Sequence, residues 1–523
     1  MRNILVFLLS FLFSLSSFAS TGDIRFESNV QSEIIKNCKR DFTFIFGKCN
    51  KRITDSKSIS ILITVDSTAP SLWNTNHSFK NLEFDDPNFS ITASSNDSLI
   101  QIKIKARSEK GACNAVFAFL QQVIGVEFRH MNQTFYPDTI ELPNFSLSWK
   151  MSGNAKFEKI GFHLHTLHPI ELTEYLHNGT DEGLEMVMQY VDWLARNGQN
   201  YFEFNLLESI DKEIWQAHAK AITDYAHQRG IKIGVDVSMH MIQQKTFMLY
   251  RKFPSKWNSK WKQVKDNLTY LTDAGFDVIS IETSSTEYSG LKGVNVLLDS
   301  TQQFLATRGV KMMNRVHVVQ MDQLEKQGEK EVKTGFDNQG FLVHTVMCFG
   351  LNDSIAPVYG NKNLLHMRKT LQSLKQNNEV WYYPESTYWI TFDISLPFFY
   401  TNYISARLAD IEYCYKQDIQ GHLTFTSGWE FGYWFVDWTI AQNCWNYTYT
   451  LQKENTEAKI RRVLKPIMEL QNNALLGEHL IKYIPSAMVN DEIKGRFNLE
   501  FQPRPKYSYD YWMNKATKND LDS

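Results

Sequence analysis

The sequence is poor in cysteine, in one-signed charge and in long apolar runs. It holds six cysteines in 523 residues: Cys38, Cys49, Cys113, Cys348, Cys414 and Cys444. That number excludes a scaffold built on disulfides, and no C-x-x-C or related spacing offers a metal or redox site. Cys38 and Cys49 bracket what reads as a short polar loop and form a candidate pair in an oxidising compartment. Cys113 lies in an apolar helical run and is read as a core residue. Lys and Arg number 55 against 57 Asp and Glu, for a net charge of -2. With no basic run, nucleic acid and an anionic membrane surface are excluded as partners. The one long apolar stretch, ILVFLLSFLFSLSSF, follows Arg2 and precedes the small residues of SFAS. It is too short for a membrane span and reads as a signal peptide, residues 1–19, leaving a secreted or periplasmic chain with no membrane segment.

Aromatic residues are plentiful instead, at 14% with 13 Trp and 23 Tyr. They suit large cores or platforms for stacking on flat apolar rings.

Two rhythms organise the chain. Residues 21–150 read as a small α+β domain. SISILITVDS and SLIQIKIKA have strand character, EKGACNAVFAFLQQVIG has helical spacing and closes at Gly125, and TIELP returns as a short strand before Pro143. Residues 158–450 alternate differently. KIGFHLHTL, YFEFNLLE, IKIGVDVSMH, FDVISIE, KMMNRVHVV, FLVHTVMCF, EVWYYPE and HLTFTSGWE are strands separated by helical segments. The count and span predict a (β/α)8 barrel. Residues 451–523 form a C-terminal helical extension and tail. The fold class is therefore α/β, a (β/α)8 TIM barrel preceded by a small α+β domain.

Period two along a strand separates faces. Phe202, Phe204 and Leu206 share one face, and Glu203 and Asn205 the other. Gly234, Asp236, Ser238 and His240 oppose the Ile and Val residues of their strand, and Ser280, Glu282 and Ser284 do the same on the fourth. In a barrel the polar faces point inward, and their C-terminal ends floor the active site. That end collects His163 and His165 from the first strand, Glu203, Asn205 and Glu208 from the second, and Asp236 and His240 from the third. Glu282 and Glu287 follow from the fourth, His317 from the fifth, Tyr383 and Glu385 from the seventh, and Trp429 and Glu430 from the eighth. Carboxylates on strands four and seven face each other across such a pocket. Paired acids are what glycoside hydrolysis requires, one protonated to release the leaving oxygen and one ionised as nucleophile or base. Trp389, Trp429, Trp434 and Trp438 offer stacking surfaces for sugars.

A metal site is the competing chemistry. His163 and His165 share a face, and with His317 and His344 they resemble the metal ligands of barrel amidohydrolases. HLTFTSGWE lacks the Asp which that superfamily needs on strand eight, and His344 is expected low in the barrel. The preferred reading assigns no metal and no cofactor.

The stretch from IQIKIKARSEKGACNAVFAFLQQVIGVEFRHMNQTFYP to TIELP resembles the small domain that precedes the barrel in β-hexosaminidases and α-glucuronidases. A strand, Ser108-Glu109-Lys110-Gly111, a helix, IGVEFRH and an aromatic-proline turn occur in the same order. Retaining hexosaminidases carry an adjacent Asp-Glu pair after strand four, and here IETSSTE has none, which puts substrate-assisted hydrolysis of N-acetyl sugars in doubt. The resemblance implies an exported glycoside hydrolase acting on an oligo- or polysaccharide. Glu282 or Glu287 is the expected general acid and Glu385 the nucleophile or base. His163, His165, Asn205, Asp236, His240, Tyr383, Trp389, Trp429 and Glu430 are expected to bind the sugar. A barrel that binds glycan without cleaving it is the non-enzymatic alternative.

Overall fold

The computed structural model describes residues 24–449 except 51–56, 71–83, 141, 144, 146–148, 168–170, 241–244, 252–256, 283, 287, 288, 291–293, 318–339, 348, 359, 360, 387–400 and 427–433. The first part of the chain runs β1 (Ile24–Ser28), α1 (Glu33–Asn50), β2 (Ser58–Val65), β3 (Phe89–Ser95), β4 (Leu99–Ala106) and α2 (Glu109–Phe119). A π-helical turn over Leu120–Ile124, a hairpin of β5 (Glu127–His130) and β6 (Gln133–Phe135), and β7 (Lys150–Ala155) follow. Next come β8 (Lys159–Leu164), α3 (Glu171–His177), α4 (Asp181–Arg196), β9 (Tyr201–Asn205), α5 (Lys212–Gln228), β10 (Lys232–Ser238) and α6 (Trp257–Asp273). The chain continues through β11 (Val278–Glu282), a short pair of β12 (Ser284–Thr286) and β13 (Ser289–Gly290), α7 (Val294–Thr307), β14 (Lys311–His317) and β15 (Gly340–Thr345). It ends with α8 (Leu365–Leu374), β16 (Glu379–Pro384), α9 (Thr401–Lys416), β17 (Gly421–Thr426), α10 (Trp434–Asn443) and β18 (Trp445–Tyr449).

Eight parallel strands close into a barrel in the order β10-β11-β14-β15-β16-β17-β8-β9. These are the eight strands expected from the sequence, and β11, which carries VISIE, is the fourth of them. The small domain is an open six-stranded sheet, β1-β2-β4-β3-β7-β18. Its final member arrives from beyond the barrel: β18 pairs antiparallel with β7, Trp445 opposite Ala155. The alternation of SISILITV explains the sheet's core face, because Ile59, Ile61 and Ile63 are buried while their neighbours along β2 are less so. Ser108 caps α2 by accepting the Gly111 N–H at 2.9 Å.

The candidate pair Cys38 and Cys49 is corrected here, since both residues lie on the single helix α1. Eleven residues of helix separate them by about 16 Å along the axis, well beyond the reach of a disulfide. The polar loop read there is the outer face of an amphipathic helix. Ile35, Cys38, Phe42, Ile45, Phe46 and Cys49 recur at helical spacing and are all buried. Cys113 is buried, as expected.

Specific contacts hold the two sheets together. Asp41 of α1 accepts from Arg229 at 2.5 Å and from Arg196 at 3.1 Å, both at the ends of barrel helices. Burial pushes the Asp41 carboxyl up, but Arg229 and Arg196 outweigh it and hold the carboxyl below its ordinary range. Beneath the barrel, Phe84 packs edge-on against Trp381 at 6.3 Å between centroids and tilted against Tyr201 at 5.9 Å. Beside it Lys159 bridges Glu158 at 2.9 Å and Glu379 at 2.8 Å, and Lys311 also pairs with Glu379. At the far side, α4 ends at Gly198 with φ 71, where a Cβ would lie 2.7 Å from the Trp445 indole nitrogen. A left-handed glycine is what this helix end requires. Among the described residues no helix is long and apolar enough to cross a membrane.

Candidate active site

The inner polar faces of β8 to β11 and β14 meet as one hydrogen-bonded network. His163 Nδ1 lies 2.8 Å from Glu203 Oε1, and its Nε2 lies 2.9 Å from Asn205 Oδ1. Glu203 Oε2 also accepts the Tyr201 hydroxyl at 2.6 Å and the Ser280 hydroxyl at 2.5 Å. Asn205 donates through Nδ2 to Asp236 at 2.8 Å. Arg315 on β14 closes the network: Nη1 donates to Asp236 and Nε to Glu282 at 2.9 Å. Burial pushes the Asp236 carboxyl up to about 7, against the pull of Arg315 and His163. The guanidinium is held above its usual range because, although burial disfavours its charge, Asp236 and Glu282 stand beside it.

A second carboxyl stands apart from this network. Glu385, just after β16, is 3% exposed, and burial pushes it up to about 8 against the opposing Met347 N–H and Arg407. Its Oε2 accepts the Met347 N–H at 2.5 Å. Met347 has φ 69, a left-handed backbone on a non-glycine residue, and such strain collects at functional sites. Arg407 on α9 donates to the Glu385 carbonyl at 2.9 Å, also reaches the Phe349 carbonyl, and pairs with Asp410 at 3.1 Å. Asp410 in turn accepts the Tyr382 hydroxyl at 2.8 Å and the Leu351 N–H at 2.7 Å. This bracing fixes both the strand end and the segment after β15. Burial raises Asp410 to about 6 despite Arg407. Asp437 on α10 accepts the Ser386 hydroxyl at 2.6 Å and also that of Thr426, and burial raises it to about 7.

Tyr383 links the two groups. It is fully buried, and its hydroxyl has no hydrogen-bond partner among the described residues. Arg315, Asp236, Glu203 and Glu385 all act on it electrostatically. Its ring lies 4.5 Å from His344 and 5.1 Å from His163. His344 Nδ1 contacts the Tyr383 carbonyl at 2.9 Å, and its Nε2 stands 3.9 Å from Glu385. Burial, with His317 and Arg315 nearby, pulls the His344 pKa well below its ordinary value.

The network therefore gathers His163, Asn205, Asp236 and Glu282, and Tyr383 stands between it and the separate Glu385. His165 packs on Phe425 at 4.2 Å, and His240 stacks on Tyr250 at 4.8 Å with Nδ1 2.7 Å from the Tyr250 carbonyl. Glu287, Trp389, Trp429 and Glu430 lie outside the described residues. Two expectations are corrected. His344 is not low in the barrel: it pairs in register with His317 and Tyr383, near the C-terminal ends of their strands. Trp438 is buried at 1% exposure and packs against Phe435, a core role rather than a sugar platform. Arg315, Arg407, Asp410 and Asp437 belong to the candidate site and were missed from the sequence. Arg315 had a signal, because period two from His317 puts it on the inward face; the other three sit on helices, where no periodicity marks them.

One group has the spacing of metal ligands, since donor atoms of His163, Glu203 and Asp236 lie within 4.8 Å of one another. Asn205 commits its amide nitrogen to Asp236 and leaves its oxygen for His163 Nε2, which must then donate. The other ring nitrogen faces Glu203. As arranged, Nε2 is committed to Asn205, and Nδ1, turned toward Glu203, is the nitrogen left to face an ion.

No protein-family model matches the sequence, and no curated protein does. The fold, by contrast, is widely shared among solved structures. The chain superposes on a Flavobacterium johnsoniae chitobiase of GH20 with a TM-score of 0.50 at 14% identity, over 89% of this chain and 71% of that one. It matches a Streptomyces plicatus N-acetyl-β-hexosaminidase with a TM-score of 0.51 at 10% identity, covering 87% of this chain and 92% of the other. A GH138 enzyme targeting pectin rhamnogalacturonan II matches at 0.51 and 9% identity over 88% of this chain, which spans 54% of that enzyme. The likeness is one of fold: a (β/α)8 barrel behind a small α+β domain.

Proposed function

We propose that the chain is a glycoside hydrolase that uses a carboxyl pair across the barrel mouth. One observation carries this reading. Two carboxyls at the ends of the fourth and seventh barrel strands are both buried but differ in their partners: Glu282 is ion-paired with Arg315 at 2.9 Å, whereas the Glu385 carboxyl accepts the Met347 N–H and burial pushes it up to about 8. A protonated acid and a charged partner are what glycosidic cleavage needs. We assign Glu385 as the general acid that protonates the leaving oxygen, and Glu282 as the nucleophile or base. These roles are exchanged relative to the sequence-based expectation, because burial without a matched cation favours the proton on Glu385. The fold shared with GH20 and GH138 structures supports a carbohydrate substrate. His163, Asn205, Asp236 and Tyr383 line the floor on which a sugar would sit. We further propose that residues 1–19 direct export and are removed.

The test is hydrolysis of a panel of nitrophenyl glycosides, N-acetylhexosaminides and glucuronides included, with and without EDTA. Turnover that survives EDTA and is lost in Glu385→Gln supports the reading. Turnover that Glu385→Gln retains, or that EDTA abolishes, overturns it, the second result favouring a metal held by the histidine cluster.

A further inference from the structure

The helix that separates Cys38 from Cys49 brings Cys38 to a different thiol. α1 packs on α2, and the Cys38 and Cys113 side chains hydrogen-bond to one another across that contact. The Cys113 thiol also donates to the Ile34 carbonyl at 3.6 Å, one turn before Cys38 on α1, which fixes its side chain toward that helix. Cys38 is 1% exposed and Cys113 is 4% exposed, so neither faces solvent. Neither thiol is near the barrel mouth, and the proposed chemistry uses neither.

We propose that Cys38 and Cys113 form a disulfide in the exported protein. This rests on the export reading above, because a cytosolic pool would keep the thiols reduced. The two thiols lose two protons and two electrons, and one sulfur–sulfur bond forms. The electrons pass by thiol–disulfide exchange to the disulfide of an exported dithiol oxidant, which leaves as its dithiol. Burial pushes the Cys38 thiol well up, so the thiolate is scarce once α1 has docked. The bond therefore forms while the small domain is still assembling. Its consequence is structural. It ties the N-terminal layer of β1 and α1 to α2, closing a long loop of the unfolded chain, where cross-links restrict the most freedom.

The experiment counts thiols in the full-length chain. The protein is refolded in a reduced and oxidised glutathione buffer, quenched in acid, and alkylated in denaturant without reductant; a second sample is made behind its own leader in a bacterial host. Four alkylated cysteines after refolding, with one linked peptide pair holding residues 38 and 113 and lighter by two hydrogens, is the expected result. Six alkylated cysteines after refolding, or scrambled pairs, would overturn the proposal. Four labels in the refolded chain with six in the leader-directed chain would uphold the pairing and count against export.

Discussion

Replacing Glu385 by Gln should remove activity and, at neutral pH, make the protein more stable. The Glu385 carboxyl is raised from an ordinary 4.5 to about 8, chiefly by burial. The folded chain therefore holds a proton that the unfolded chain releases above about 4.5. The stability of such a group is fully present below the unfolded pKa and is lost as pH rises through the folded one. Between 4.5 and 7 the difference spans about 2.5 units, and at about 1.36 kcal/mol per unit the native state is penalised by about 3 kcal/mol. Glutamine is neutral in both states and escapes this penalty, while its amide oxygen can still accept the Met347 N–H. The raised carboxyls of Asp236, Asp410 and Asp437 are common to both proteins and cancel in the comparison. Urea unfolding of both chains at pH 4.5, 6 and 7.5 is the assay. The two midpoints should nearly coincide at pH 4.5 and separate as pH rises, the variant ahead. Equal midpoints at pH 7.5, or a variant less stable than the parent there, would refute the protonated-acid assignment.

Further predictions concern the same network. The rate with a substrate whose leaving group needs a proton should fall above about pH 8 as Glu385 ionises, and a profile flat well beyond that pH would remove it as the acid. Arg315→Met leaves Asp236 and Glu282 buried without their guanidinium and should cost about 3–5 kcal/mol in urea unfolding; Arg315→Lys should recover only part of this, since one ammonium does not span two carboxylates as the fork does. Gly234→Ala would set a Cβ 1.9 Å from the Tyr201 hydroxyl and push it off Glu203, at a cost of about 1–3 kcal/mol. Gly47→Ala, in α1 with nothing within 4 Å, should instead stabilise by about 0.5–1 kcal/mol, and thermal melts that gave both changes the same sign would contradict the packing described.

The barrel was legible because its strands announce themselves twice. Apolar residues alternate with polar ones, and several strands are followed by a helix with a cap or a glycine stop, as at Thr180 and Gly198. The inward set Glu203, Asn205, Asp236, Ser280 and Glu282 followed from period two alone, and the hydrogen bonds join all five. Three things were not legible. α1 looked like a loop because its buried stripe is interrupted by Lys39, Arg40 and Asp41, and Asp41 is itself buried against arginines that lie 155 and 188 residues away. β18 could not be placed in the first sheet, because no local pattern says that a strand after the barrel returns to pair with β7. Arg407 and Asp410 look like ordinary surface charges of a helix, and only the docking of α9 makes them braces for Glu385.

What separates a structural carboxylate from a candidate catalytic one in this chain is its ratio of cations. Burial opposes ionisation of Glu379 as it does that of Glu385, yet Glu379 is lowered to about 2 because Lys159 and Lys311 flank it. Asp41 likewise has two arginines and lies below its ordinary range. At the barrel mouth the supply is shorter. Arg315 serves both Asp236 and Glu282, and Asp236 rises to about 7. Among the described residues Glu385 has no cation paired with its carboxylate: Arg407 acts on it only from its backbone carbonyl, and His344, at 3.9 Å, has its pKa pulled well below the ordinary value and is neutral near pH 7. A carboxyl so placed is cheapest to keep when protonated, which is the state the proposed proton donor requires. Beneath the barrel two lysines flank Glu379, at the mouth one guanidinium is shared by two carboxylates, and Glu385 adds to that shortage a place at the end of a barrel strand.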